Sequence, residues 1–270
     1  LNDVGGHPIR SWDDRGHAHI SEYDPLRRPL RTYVAGTVTS AAGEVLTERK
    51  VYGEQHPDAE ERNLRGAVYL QVDQSGCATT EENDFAGRPF EVTRRLTNGT
   101  RYQDAVDWDP VDRDHVALPI AATVPVDLAA LKAALSPFLE NDAYISTTTY
   151  DALGRPLVQT TPHTPAMAPN LVRHRYNEAG LLVQVDVNLR GARAHGRPDW
   201  TAFVVGIDHD ARGQRQEIRY GNGVRTSYTY DPLTFRLTSL ETQRDAASFR
   251  DDCQRPARPA WPGCGVQALE

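Results

Sequence analysis

Residues 146–162 read STTTYDALGRPLVQTTP, and residues 227–243 read SYTYDPLTFRLTSLETQ. Each is an alternating run of the kind a strand makes, broken by a short polar turn and followed by a second extended run. In the first, Tyr150 ends a strand. Asp151 suits the first position of a type I turn, Gly154 can take the left-handed conformation that closes a hairpin with a bulge, and Arg155 resumes the extended chain. The same spelling is an aromatic residue or His, then Asp or Asn, two variable residues and usually Gly. It returns at Trp12-Asp13-Asp14-Arg15-Gly16, Tyr23-Asp24, Asp84-Phe85-Ala86-Gly87-Arg88, Tyr176-Asn177-Glu178-Ala179-Gly180, His209-Asp210-Ala211-Arg212-Gly213 and Tyr230-Asp231. These are degenerate repeats of one hairpin unit.

The clearest complete unit lies between His209 and Tyr230: turn, strand QRQEIRY, turn GNG, strand VRTSYTY. Asn222-Gly223 is a strong hairpin signal because both residues tolerate positive φ. In LLVQVDVNLR, Leu181, Val183, Val185, Val187 and Leu189 alternate with Gln184, Asp186, Asn188 and Arg190, which predicts one buried and one wet face. Val68, Leu70 and Val72 alternate likewise, as do Val224, Tyr228 and Tyr230. A hairpin of this length cannot bury its face alone, so the units are expected to stack into an extended antiparallel sheet. The fold class is therefore mainly β.

Between about 104 and 142 the hairpin spelling disappears. PVDLAALKAALSPFLEN predicts a helix over about 127–136, with Asp127 as N-cap, Leu128, Leu131 and Leu135 at helical spacing and Pro137 ending it. HPDAEERNLRG at 56–66 predicts a second short helical turn. Residues 251–270 turn to Pro, Arg and Cys without alternation, which predicts an irregular or disordered tail. The chain thus divides into a repeat sheet segment at 1–103, an insertion at 104–143, a second repeat segment at 144–250 and the tail.

The 270 residues are 39% hydrophobic, enough for a sizeable core. Lys and Arg total 30 against 37 Asp and Glu, a net charge of −7 without a basic face, so nucleic acid is not an expected partner. Cys77, Cys253 and Cys264 form no C-x-x-C pair and are expected as reduced thiols. No apolar run is long enough to span a membrane, and the start has no signal-peptide pattern. Leu1 in place of an initiator Met suggests a fragment of a longer chain.

Candidate chemistry is sparse. Asp107, Asp109, Asp112 and Asp114 crowd DWDPVDRDH but lack the Gly and Glu of an EF-hand, and read as a solvated acidic loop. His17 and His19 fall on one strand face without a third ligand, and read as surface histidines. The Asp13-Asp14 pair sits in a turn spelling, and Asn98-Gly99-Thr100 reads as a turn. No G-x-S-x-G, Walker-type or H-E-x-x-H motif is present. No catalytic, cofactor or metal residues are assigned. The candidate site residues are structural ones, the turn-formers Tyr23, Asp24, Asp84, Gly87, Arg88, Tyr150, Asp151, Gly154, Arg155, Tyr176, Asn177, Gly180, Asp210, Gly213, Asn222, Gly223, Tyr230 and Asp231.

The Tyr-Asp-x-x-Gly-Arg spelling, most faithful at Tyr150 to Arg155, resembles the RHS/YD-repeat proteins. The stretches from Tyr52 to Pro89, the insertion running into YISTTTYDALGRP, and EIRYGNGVRTSYTYDPLTFRLTSLETQR resemble more specifically the B and C components of bacterial insecticidal toxin complexes and their SpvB/TcdB-type relatives. The resemblance covers roughly residues 10 to 250. It implies part of a hollow shell in which stacked YD hairpins enclose a toxic C-terminal polypeptide, a structural role and not an enzymatic one. The implied partners are other repeats of the same shell, or a partner toxin-complex component, and the enclosed toxin. The implied location is secreted or at the bacterial surface. The autoproteolytic aspartate site that follows the repeats in that family has no matching segment here. A cell-surface or carbohydrate-binding YD module is the alternative, favoured by an exposed aromatic stripe, whereas a wet, mixed-polarity face favours encapsulation. A hydrolase built on the acidic loop is the remaining class.

Overall fold

The computed structural model describes residues 1–36, 43–99, 105–115 and 126–244, and the backbone of 266–269. The chain is mainly β and divides into two compact units. One holds residues 1–148 with 162–167, the other 149–161 with 168–270.

In the first unit the strands follow chain order, each antiparallel to the next: β1 (Arg10–Trp12), β2 (Ala18–Tyr23), β3 (Pro29–Ala35), β4 (Glu44–Tyr52), β5 (Val68–Asp73), β6 (Gly76–Asn83), β7 (Pro89–Leu96) and β8 (Tyr144–Tyr150). The insertion supplies α1 (Asp109–His115) and α2 (Leu128–Leu135). Asp127 caps α2, its carboxylate accepting from Ala129 N and Ala130 N at 3.0 Å each, and a 3-10 turn at Ser136–Phe138 containing Pro137 ends it. Trp108, Val111, Leu131 and Leu135 bury themselves against Leu46, Val72 and Cys77 of the sheet. This is the unit's main core. Burial pushes the Cys77 thiol up to about 12, so the side chain behaves as a small apolar group. Residues 53–66 make a 3-10 turn at Gly53–Gln55 and further turns, with no α-helix.

In the second unit β9 (Pro156–Thr160), β10 (Leu171–Tyr176), β11 (Leu182–Asn188), β14 (Thr201–His209), β15 (Arg215–Tyr220), β16 (Arg225–Tyr230), β17 (Leu237–Gln243) and β18 (Val266–Leu269) pair in that order, all antiparallel. A separate pair, β12 (Arg193–Ala194) and β13 (Arg197–Pro198), stands outside this sheet.

Three sequence expectations change. The strand faces are not simply buried and wet: on β11 the polar Asp186 and Asn188 are buried beside Val187, and on β5 Tyr69 is buried as well as Leu70 and Val72. Hydrogen-bonded polar groups can be buried where apolar patterning alone would put them in water. Residues 266–269 are not irregular but pair with β17, whose open edge offers donors and acceptors to an extended segment. The expectation for 245–265 lies outside the described residues, as do Thr100 of the Asn98 sequon and the boundary at 103/104. The third change concerns the acidic cluster.

Candidate functional site: aspartate-capped turns and a polar sheet face

One turn geometry recurs. At Asp151 the carboxylate oxygen Oδ1 accepts from Leu153 N and Arg155 N at 2.9 Å each. The main chain closes through Asp151 N to Arg155 O and Gly154 N to Asp151 O, also 2.9 Å each. Oδ2 takes the Arg155 Nε at 2.7 Å, and Gly154 has φ +81. A side chain thus satisfies the donors that a five-residue turn would otherwise expose. These hydrogen bonds, first from Arg155 N and then from its guanidinium, hold the Asp151 carboxyl below its ordinary value.

Asp84 with Gly87 (φ +78) and Arg88 repeats every one of these bonds. Asp13 does so with His17 in the place of Arg; Asp24 keeps the main-chain closure, the Arg28 N cap and the Arg28 ion pair, with Arg27 (φ +65) replacing the glycine. Asp210 with Gly213 (φ +81) keeps both backbone caps and lacks the ion pair, and Asn177 with Gly180 (φ +79) keeps the cap from Leu181 N alone. Asp231 closes a turn one residue longer, with Phe235 at φ +58. Asn222-Gly223 makes the tighter GNG turn, Asn222 Oδ1 accepting from Val224 N at 3.1 Å and Gly223 at φ +83. Tyr150 ends β8. One further turn of this kind was not read from the sequence: Asp3 to His7, with Gly6 at φ +84.

Tyr23, Tyr52, Tyr176 and Tyr230 have a role that local spelling did not reveal. Tyr176 donates its hydroxyl to Pro156 O, directly after the preceding turn, at 3.0 Å, and its ring lies 4.5 Å from the Arg155 guanidinium. Tyr23 does the same with Pro8 O and the His7 ring, and Tyr230 reaches Arg215 O. Tyr52, not a turn residue, makes the equivalent bond to Pro29 O beneath Arg28. Four turns, those that begin at Asp3, Asp24, Asp151 and Asp210, are therefore clasped by a tyrosine that follows them in the chain, with cation–π stacking at the Asp24 and Asp151 turns, where an arginine is present.

The acidic cluster proves to be a lock, which corrects the solvated-loop reading. Asp112 is 5% exposed in α1, receives Arg31 Nε at 2.8 Å and is hydrogen-bonded by Arg49 Nε. Asp107 Oδ1 accepts from Leu46 N and Asp109 N at 3.1 and 3.0 Å. Sequence spacing held no sign of this, because the arginines lie 81 and 63 residues away. Burial, only partly offset by Asp112, pulls the Arg49 guanidinium below its ordinary value. Arg31 is less buried, and its hydrogen bonds to Asp112 and Glu22 outweigh that cost and raise it. The insertion is thereby pinned to one sheet face.

The opposite face is polar. Residues directly paired across antiparallel strands share a face, and there Glu48 Oε2 accepts from Thr32 Oγ1 at 3.2 Å while Oε1 accepts from Gln71 Nε2 at 2.8 Å and faces Lys50 Nζ at 3.0 Å. The second unit has a face of the same character. Asp208 and Glu217 flank Arg219 at 2.5 and 2.8 Å, and Asp186 gathers Arg173, Arg175 and Gln184. A concavity of about 760 Å³ in this unit has a floor of Leu181, Val183 and Ile207 and turns at its rim, and no Ser, Cys or Thr lines it. His17 and His19 both approach Asp13 Oδ2, at 2.8 and 3.9 Å. Among the described residues no group of three His, Cys, Asp or Glu side chains is placed to hold a metal ion, and no helix is long and apolar enough to cross a membrane.

Chain-ordered antiparallel strands joined by recurring aspartate-capped turns, four of them clasped by a tyrosine, define a repeat β-sheet protein. No family model matches the chain. It is 26% identical over 246 residues to the toxin subunit YenC1 of Yersinia entomophaga, covering 91% of this chain and 22% of that protein. It is 26% identical over 257 residues to YenC2 of the same organism, covering 90% and 23%. Its fold matches the crystal structure of TcdB2-TccC3-Cdc42 with a TM-score of 0.64 at 23% identity, over 92% of this chain and 10% of that one. TcdB2-TccC3 without its hypervariable C-terminal region gives 0.61 at 24%, over 91% and 10%. The chain spans less than a quarter of the curated relatives it matches. The resemblance to RHS/YD-repeat proteins of bacterial toxin complexes holds over most of the chain.

Proposed function

We propose that this chain is a segment of the wall of a toxin-complex shell, that the wall encloses a toxic polypeptide, and that it acts without catalysing a reaction. The observation that carries the reading is the asymmetry of the first unit's sheet. One face is sealed by the chain's own insertion through Trp108, Leu131 and Asp112, and the other presents Thr32, Glu48, Lys50 and Gln71. A lining of mixed charge offers an unfolded or partly folded cargo no continuous apolar surface to bind. Turns that satisfy their own donors let repeats be added without exposing unpaired backbone at the sheet's rim. The similarity to toxin subunits supports the same role, and secretion with the complex follows from it.

The carbohydrate-binding alternative calls for an aromatic stripe. Among the described residues the exposed aromatics Phe85 and Phe235 stand in turns, and Trp12 and Phe203 are in different units. The test is protease protection of the assembled toxin complex containing this chain. The enclosed polypeptide should resist trypsin in the intact assembly and become sensitive when Asp84→Ala and Asp151→Ala open the turns. Equal digestion with and without these changes would end the proposal.

A further inference from the structure

Between β11 and β14 the chain leaves the sheet. Residues 189–199 form a small hairpin in which Arg193 pairs with Pro198 and Ala194 with Arg197, closed by His195 and Gly196, both left-handed at φ +50 and +78. Its root is fixed. Asn188, 1% exposed, donates through Nδ2 to Ala192 O and Asp199 O at 2.6 Å each. Asn170 Oδ1 accepts from Arg190 N at 2.8 Å, and the ring of Trp200 lies 4.1 Å from the Arg173 guanidinium. A connection between neighbouring antiparallel strands needs only two residues, so a longer, rooted excursion calls for another reason.

That reason lies in its charge. Arg190, Arg193, His195 and Arg197 are exposed, and no ion pair joins any of them to another described residue. Asp199 is the only acidic residue of the excursion. Beside the root, Arg173 and Arg175 share the single carboxylate of Asp186. A chain with net charge −7 thus carries a concentrated positive cluster on a projection with a defined backbone.

We propose that this hairpin is a docking finger for an acidic segment of a protein partner within the toxin complex, an inference that rests on the toxin-complex role proposed above. Arginine forks match carboxylates in bidentate geometry, and a preformed hairpin lowers the ordering cost of binding. The acidic remainder of the chain repels an extended polyanion or an anionic membrane. A short acidic segment, by contrast, meets only the hairpin's field within a Debye length of about 8 Å.

The full chain is titrated into a fluorescein-labelled ten-residue glutamate peptide, and anisotropy is followed at low and high salt. A DNA oligonucleotide and phosphatidylserine vesicles serve as parallel probes. Salt-sensitive peptide binding is expected, weakened at least about tenfold in R190E/R193E/R197E. The control R15E/R65E/R236E, with the same charge change elsewhere, should bind as the parent does. An R190Q/R193Q/R197Q variant keeps the test valid if charge reversal disturbs folding, and should also lose binding. No peptide binding, equal losses in the finger and control variants, or tighter binding to DNA or vesicles would overturn the proposal. Cargo protection from protease does not depend on this contact, so a failure here is distinguishable from a failure of the wall role.

Discussion

Removing the Asp112 carboxylate should be among the most damaging single changes in the chain. Asp112→Ala strips the partner from Arg49, whose side chain is 2% exposed, and from Arg31, which is 19% exposed and retains Glu22 at 3.0 Å. Breaking a buried pair from one side leaves a desolvated charge and costs about 3–5 kcal/mol. The buried arginine accounts for most of that loss. Replacing both partners by apolar residues, Asp112→Leu with Arg49→Met, removes the stranded charge as well and should recover more than half of the loss. Trp108 is fully buried beside α1, and Asp112 N donates to its carbonyl at 3.0 Å, so its fluorescence reports this region directly. Urea unfolding of the full chain, followed through that signal, gives the three midpoints. A loss below about 1 kcal/mol for Asp112→Ala, or a double variant no better than the single one, would refute the lock.

Gly154→Val should destabilise the chain by about 1–2 kcal/mol more than Ala152→Val, because Gly154 sits at φ +81 where a β-branched residue is strained; equal melting temperatures would contradict this. Tyr176→Phe, which deletes the bond to Pro156 O, should cost roughly 0.5–1.5 kcal/mol in urea unfolding, and no change would show that the clasp is incidental. The hydrogen bonds from the His17 ring and His17 N hold the Asp13 carboxyl down at about 2. A depressed carboxylate contributes stability above its unfolded value of about 4 and loses it as the pH falls toward 2. Thermal melts between pH 5 and 2 should therefore show a shallower acid limb in Asp13→Asn than in the parent, and superimposable limbs would disprove the coupling.

The turns were legible in the sequence because all their partners lie within five residues: Asp151 reaches Leu153 and Arg155, and the glycine signals its own left-handed position. Helix α2 was legible for the same reason, its cap and its leucines being local. What was missed is long-range. The clasp joins residues 20 apart in the case of Tyr176 and Pro156, and the acidic cluster became a lock only when the fold brought Arg31 and Arg49 to it. Asp186 and Asn188 read as solvated because alternation marks polarity, while burial depends on partners supplied by other strands and loops. The basic hairpin was passed over for a different reason. Its charge is local, whereas the chain's overall balance is acidic.

Electron microscopy of the assembled toxin complex containing this chain, at a resolution that places side chains, tests the wall role most directly. The sheet face carrying Thr32, Glu48, Lys50 and Gln71 should line a closed cavity that contains density for an enclosed polypeptide, with the Trp108 insertion on the outer side. The same face turned to bulk solvent, or a sheet that closes around no cavity, would contradict it.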